Sequence, residues 1–219
     1  MSSETHLTPS GATPTGKMII FTAPSGAGKT TIVRHLLEKF PELCFSISAT
    51  TRKRREHEVD GKDYYFLTEE RFRQRVEQGD FLEWEEVYAG SCYGTLKMEV
   101  ERIWAQNRTV IFDVDVKGAL NIISEYQQNA LSVFVRPPSV EALEERLRKR
   151  QTEDDESFRK RIDRASHELG FAARFDYELV NDDLQVALKE AEEVIGGFLH
   201  SGRVENGDQP LPQSSDLAS

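Results

Sequence analysis

The chain has 219 residues, with 28 Lys and Arg against 38 Asp and Glu, giving a formal charge of −10. That balance argues against a general nucleic-acid or anionic-membrane binder, so clustered arginines here are expected to serve a small anion. Cys44 and Cys92 are too few for a disulfide framework, which fits a reducing cytoplasm, and no apolar run approaches the roughly 20 residues that span a bilayer. The length suits one α/β domain with inserts, or two small domains.

In chain order, residues 1–16 are rich in Ser, Thr, Pro and Gly, carry no basic-then-apolar leader pattern, and read as a disordered tail. The apolar run Met18–Phe21 predicts a buried strand, and Ala23-Pro-Ser-Gly-Ala-Gly-Lys29-Thr30 predicts a glycine-bearing loop opening into a helix that Pro41 stops. Such a loop turns backbone N–H groups inward as an anion cradle, and the helix N-terminus adds partial positive charge. Lys29 supplies a full charge for nucleotide phosphates, and the Thr30 hydroxyl suits Mg²⁺. Ala23 stands where the strict G-x-x-x-x-G-K-[ST] pattern has its first glycine.

Cys44–Ser48 is expected to be a second strand, running into a loop with four consecutive cations, Arg52 to Arg55. Asp63–Leu67 predicts a strand, Glu69–Gln78 an amphipathic helix closed by Gly79, and Phe81–Tyr88 a strand. Tyr93-Gly-Thr95 is expected to lead directly into a helix to about Gln106. Thr109–Asp113 predicts a central strand that delivers Asp113 to the phosphate end of the sheet, with Asp115 either a further ligand or a helix cap. Lys117–Tyr126 is helical, Leu131–Val135 a strand, and Pro137-Pro-Ser139 starts a helix through Leu143 and Leu147 to Arg150. An acidic turn at 152–156 precedes a helix over Phe158–Leu169. Asp176–Val180 gives the last strand and Leu184–Phe198 the last helix, before a second polar tail from about Ser201. Strands alternating with helices predict a parallel sheet covered on both faces. The stretch from about 48 to 98 interrupts that alternation like an inserted lobe.

A phosphate loop alone serves GTPases, motors and kinases alike. The arginines narrow the choice. An enzyme that phosphorylates a phosphate must bring two anions together, and bidentate arginines offset their repulsion. Arg52 and Arg55 come from one segment, Arg150 and Arg161 from another, as an acceptor clamp and a closing lid require.

Ser48-Ala-Thr-Thr-Arg52, Arg55, Val59-Asp-Gly-Lys-Asp-Tyr64, Phe81-Leu-Glu83-Trp, Tyr93-Gly-Thr95, Phe112-Asp-Val-Asp115, Pro137-Pro-Ser139 and Val180-Asn-Asp-Asp183 together resemble the guanylate kinase family from about Lys17 to Phe198. The resemblance implies an α/β fold with a parallel-sheet P-loop nucleoside-monophosphate-kinase-like core, an inserted GMP-binding lobe and a helical lid. On that reading the domain is 17–200, with core 17–47, 99–145 and 166–200, lobe 48–98, lid 146–165, and tails at 1–16 and 201–219. It implies cytoplasmic transfer of the γ-phosphoryl group of ATP to GMP, with dGMP as a second acceptor and Mg²⁺ as cofactor. Neither nucleic acid nor membrane is an expected partner, and monomer or homo-oligomer stays open.

By resemblance, Arg52, Arg55, Tyr64 and Tyr93 hold the GMP phosphate, while Ser48, Glu83, Thr95 and Asp115 surround the guanine. Glu83 would accept from guanine N1–H and the exocyclic amine together, and would repel the N1 lone pair of adenine. Lys29, Arg150 and Arg161 would carry the ATP phosphates and the transferring group, and with Arg52 they form the catalytic set. Ala23, Pro24, Ser25, Gly26, Ala27, Gly28, Lys29, Thr30 and Thr31 would cradle ATP, with Asn181 near the adenine. Thr30 and Asp113 would organise Mg²⁺. Two departures from the family pattern are Gln151, at a hinge position usually small, and Arg54, in place of a common proline. The histidines and cysteines show no metal-ligand grouping and read as structural. Rival readings are a non-catalytic interaction module of the same fold, a P-loop kinase for another nucleotide or phosphorylated sugar, and a GTPase, which the missing Asn-Lys-x-Asp-type base reader disfavours.

Overall fold

The computed structural model describes residues 16–88, 90–149 and 155–201. Residues 1–15 and 202–219 of the proposed tails, Arg150, Gln151 and 152–154 of the acidic turn lie outside the described residues, whereas Ser201, expected to open the second tail, still closes the last helix.

The first strand, β1 (Met18–Thr22), is buried at every position. Its side chains alternate between two hydrophobic clusters: Ile19 and Phe21 enter one, Met18 and Ile20 the other. A strand apolar on both sides belongs at the centre of a covered parallel sheet. The order is β2 (Leu43–Phe45), β7 (Thr109–Asp113), β1, β8 (Ala130–Arg136) and β9 (Tyr177–Val180), all parallel. On one face, α1 (Lys29–Lys39) and α7 (Leu184–Ser201) contribute Ile32, Val33, Leu36, Ala191, Ile195 and Phe198. On the other, α3 (Lys97–Trp104) and α4 (Val116–Tyr126) contribute Val100, Ile103, Trp104, Ala119 and Ile122.

A second sheet orders β4 (Tyr65–Phe66), β3 (Ala49–Thr50), β6 (Ser91–Leu96) and β5 (Phe81–Tyr88), mixing parallel and antiparallel pairs. It packs Phe72 of α2 (Glu69–Glu77) against Phe81 and Leu96. Thr68 caps α2 by accepting from the Arg71 N–H at 3.2 Å, and Glu69 and Glu70 complement its positive end.

Two expectations are corrected here. The predicted strand 44–48 stops at Phe45: Leu43–Phe45 pairs with β7 in the main sheet, residues 46–48 cross over, and Ala49–Thr50 then pairs with β6 in the second. Tyr93-Gly-Thr95 does not lead straight into a helix; it is the body of β6, registered against Glu83, Trp84 and Glu85, and α3 starts only at Lys97. The run Ser91–Leu96 lacks a clean alternation, and its partner strand lies ten residues upstream, so pairing decides what local pattern leaves ambiguous.

Two helices, α5 (Val140–Lys149) and α6 (Asp155–Leu169), form an antechamber to the main sheet, joined by Leu143, Leu147, Ala165, Phe158 and Ile162. The helix therefore begins three residues before the expected Phe158.

One buried acid ties the two sheets together. Glu99, fully buried near the start of α3, accepts from the Ile47 N–H at 3.3 Å, from the Tyr65 hydroxyl at 3.0 Å, and from Arg102 through both oxygens at 2.8 and 2.9 Å. It holds the crossover between the sheets, the rim of the second sheet and its own helix. Glu99→Ala strands three donors, so we expect a loss of about 3 kcal/mol in urea-unfolding free energy. A change below about 0.5 kcal/mol, the range of ordinary surface substitutions, would remove this hub role.

Candidate active site

The turn after β1 is built around two glycines in left-handed backbone, Gly26 at φ 92° and Gly28 at φ 96°. Space closes the argument: a Cβ on Gly28 would stand 2.3 Å from Asn181 Nδ2, and one on Gly26 would stand 2.9 Å from Leu147 Cδ2. Gly28 also caps α1, whose first turn holds no acid to repel an anion. A cavity of about 370 Å³ opens over this turn, lined by Ala23, Pro24, Ser25, Gly26, Gly28, Lys29, Thr30 and Thr31 from the loop and by Asp113, Val114 and Asp115 from the end of β7. Arg161, Arg164 and Glu168 of α6 close its far side.

Lys29 Nζ lies 2.5 Å from Asp113 Oδ1 and donates to the Val114 carbonyl at 2.6 Å. The Thr30 hydroxyl donates to Asp113 Oδ2 at 3.0 Å. Asp113 thus touches both residues that the sequence assigned to phosphate and metal. Arg161 Nη2 donates to Ser25 Oγ at 2.8 Å, which docks α6 on the loop.

Two of the residues expected around ATP, Ala27 of the loop and Asn181, do not line this cavity. Ala27 is fully buried, its side chain in the hydrophobic core and its N–H donated to the Pro24 carbonyl at 3.1 Å, so it shapes the turn rather than lining the cavity. Asn181 lies beneath the loop: Nδ2 donates to the Ala27 carbonyl at 2.7 Å, and its own carbonyl accepts from Arg146 Nη2 at 2.9 Å.

A second cavity, about 200 Å³, is lined by Ser48, Tyr64, Glu83, Glu85, Tyr93, Gly94 and the same Asp113, Val114 and Asp115. The two cavities therefore meet at the end of β7. Thr95 sits behind the second one, its hydroxyl donating to Glu83 Oε1 at 2.8 Å. Glu83 is almost fully enclosed, at 9% exposure. Burial pushes its carboxyl up to about 7; the Thr95 hydrogen bond opposes that rise, and the neighbouring Asp115 and Glu85 carboxylates add to it. Gly118 makes room for it, since a Cβ there would stand 2.8 Å from Glu83 Oε2. Asp115 caps α4 through Oδ1, which accepts from the Gly118 N–H at 2.8 Å. Of the two readings left open for Asp115, the structure shows the helix cap, and the same residue also lines the second cavity.

At the mouth, the Arg52 guanidinium lies over the Tyr64 and Phe66 rings, 5.0 and 5.6 Å from their centroids, and Tyr64 meets Tyr93 edge-on at 6.1 Å. Sequence reasoning missed what holds it there. Glu58, itself buried, takes Arg52 in a two-pronged pair at 2.7 and 2.8 Å and accepts the Arg55 N–H at 2.7 Å. The Arg52 and Arg55 contacts hold the Glu58 carboxyl at about 2. The available signal was weak, because Glu58 is one of three acids, with Glu56 and Asp60, that follow the four cations. Arg54, which had no assigned role, donates to the Glu58 carbonyl at 2.9 Å and so stiffens the same loop, while the Arg55 side chain is exposed at its edge.

The guanylate kinase family model matches residues 15–197. A guanylate kinase of Bacteroides thetaiotaomicron is 50% identical over 186 residues, covering 85% of this chain and 91% of the relative. One of Salinibacter ruber is 49% identical over 188 residues, covering 86% of this chain and the whole of the relative. Among solved structures, the guanylate kinase of Anaplasma phagocytophilum superposes with a TM-score of 0.68 at 26% identity, covering 86% of this chain and 88% of its own. The chain belongs to the guanylate kinase family.

Proposed function

We infer that the two cavities are the donor and acceptor sites of an ATP:GMP phosphotransferase, meeting where the phosphoryl group crosses. The observation that carries this is their shared wall, Asp113 to Asp115, with a cation-bearing phosphate loop on one side and the enclosed Glu83 on the other. In the donor site, the N–H groups of the loop, Lys29 and Arg161 would bind the β- and γ-phosphates of ATP; Arg150, outside the described residues, is proposed as a third cation there. In the acceptor site, Arg52, Arg55, Tyr64 and Tyr93 would take the GMP phosphate. Ser48, Glu83, Thr95 and Asp115 would take the guanine. A carboxylate enclosed with only one hydroxyl donor suits the paired N–H groups of guanine, and rejects adenine by leaving itself unpaired.

The chemistry needs no covalent intermediate. A GMP phosphate oxygen attacks the γ-phosphorus in line, the bond to the β–γ bridging oxygen breaks, and ADP leaves with that oxygen. The chain supplies position and positive charge. Two hard oxygens side by side, Thr30 Oγ1 at the start of α1 and Asp113 Oδ2 at the end of β7, suit Mg²⁺, which takes few protein ligands and keeps phosphates and waters for the rest. Among the described residues no group of three or more His, Cys, Asp or Glu offers a self-contained metal cage, which fits an ion that arrives with its nucleotide. When bound it would neutralise phosphate charge. No described helix is long and apolar enough to cross a membrane.

With ATP and Mg²⁺, ADP formation should depend on GMP and fail with AMP, CMP or UMP. Lys29→Ala is expected to lower kcat by about 10²–10³-fold. Glu83→Gln should lower kcat/KM for GMP by about 10³-fold, because an amide cannot accept both N–H groups. ADP release regardless of acceptor would overturn the assignment, and GMP binding without turnover would favour a non-catalytic module.

The raised carboxyl of Glu83 sets a pH dependence. Its ionised form is the acceptor, so KM for GMP should rise about tenfold between pH 8 and pH 6, a trend absent in Glu83→Gln. The sign for stability is opposite. A folded-state value of about 7, above the ordinary carboxylate value, means stability is greatest below pH 4.5 as far as this group goes, and is lost as pH rises through 7. Glu83→Gln should therefore gain melting temperature over the wild type at pH 8 and converge with it near pH 5. Separately, Glu58→Ala, read by initial rates, should raise KM for GMP about tenfold with little change in KM for ATP, since Arg52 loses its brace.

A further inference from the structure

Beyond the residues assigned above, α6 carries a second arginine aimed at the site. Arg164 follows Arg161 by three positions, which places both on one face of the helix. Arg161 reaches the phosphate loop at Ser25. Arg164 Nη2 reaches the shared wall instead, 3.5 Å from Asp115 Oδ2. The same guanidinium is braced one turn on, where its Nε donates to Glu168 Oε1 at 2.8 Å. Glu168 is well enclosed, its side chain 12% exposed, so the brace is fixed in place.

Asp115 needs such a partner. Its Oδ1 is committed to the Gly118 N–H, and Oδ2 shares one small cavity with Glu83, Glu85 and Asp113. Four carboxylates around one cavity repel, and the one with freedom to turn out would do so. Lys117 answers Glu85 at 2.6 Å, Lys29 answers Asp113, and Thr95 answers Glu83. Arg164 answers Asp115.

We propose that Arg164 is a positioning residue for acceptor-base recognition: braced by Glu168, it holds Asp115 Oδ2 at the acceptor cavity and so joins α6 to the base site through one carboxylate. The proposal rests on the reading of Asp115 as a guanine ligand. It follows that base occupancy and docking of α6 support each other, and that the support runs both ways.

The test is steady-state kinetics on R164Q, R164K, D115N and the double variant R164Q/D115N, each checked for its melting transition. D115N keeps a side-chain oxygen for the α4 cap, since Asn caps as well as Asp. R164Q should raise KM for GMP about tenfold while KM for ATP stays within about twofold, R164K should fall between, and the double variant should be no worse than D115N alone. If D115N leaves KM for GMP unchanged, the base-site reading fails and takes this inference with it. If D115N raises KM while R164Q leaves it unchanged, or if the two effects add in full, the role of Arg164 is overturned and the base site stands. Should R164Q not fold, the R164K comparison with D115N carries the same decision.

Discussion

An anion can approach a backbone closely only where no Cβ and no carbonyl oxygen stands in the way. The turn between β1 and α1 is shaped by that constraint, and much of the molecule follows from it. Left-handed glycines keep the turn free of side chains beside the cavity, but a glycine turn left to itself is floppy. Here it is clamped from outside. Asn181 holds the Ala27 carbonyl from below, Ala27 anchors the turn in the core, and Leu143 and Leu147 of α5 lie against Gly26. The last strand and the helix pair α5–α6 are thus seated on the loop itself. On the proposed reading, an element that moves with α6 moves relative to the donor site, which is the leverage a helical lid would need.

The second recurring feature is that cations around the two cavities already have acidic partners. Lys29 has Asp113, Arg52 has Glu58, and Arg164 has Asp115 and Glu168. In a chain with net charge −10 this is not shortage of acid to spare. Each pair fixes the direction of a flexible side chain before the ligand arrives, which reduces the ordering entropy that binding would otherwise cost. The arrangement also screens the arginines against casual anions: a phosphate must compete with a carboxylate already in place, and only one delivered with the right base has the added contacts to do so. Arg52 shows the geometry most clearly, since its fork faces Glu58 while its plane rests on two aromatic rings.

How much of this was legible in the sequence depended on whether the cause was local. The phosphate loop, the central strand ending in Asp113 and the covered parallel sheet follow from short-range pattern, and they lie where the pattern puts them. Thr95 and Tyr93 were identified through a motif, yet the strand that carries them was missed, because β6 exists by pairing with β5 and has no clear period of its own. The break inside 44–48 was hidden for a similar reason: one extended stretch serves two sheets, and only the tertiary crossover divides it. Glu58 and Glu99 were invisible as hubs. A glutamate in a polar loop and one on a charged helix are ordinarily solvated, and nothing in their neighbours announces burial. Ala27 and Asn181 show the opposite limit, where family pattern marks a neighbourhood without telling lining from support.

Glu83 shows why the acceptor site takes the form it does. An isolated carboxylate is expensive to bury, and this one is given a single hydroxyl, a glycine-cleared approach to the start of α4, and two acidic neighbours. Each feature would be a fault in a structural glutamate. Together they leave a carboxylate that, on the proposed reading, is fully satisfied only when two N–H groups of a base arrive side by side. The poor solvation that lifts its proton affinity toward neutrality also strengthens its bonds to the right base, because both come from the same exclusion of water. Full hydration of Glu83 would make the protein more stable above neutral pH, but would remove the penalty that falls on a base without the paired donors. On the proposed reading, selectivity at this position is held as unfavourable burial in the folded chain, while Lys117 and Arg164 pair with the neighbouring Glu85 and Asp115 and so limit the repulsion around it.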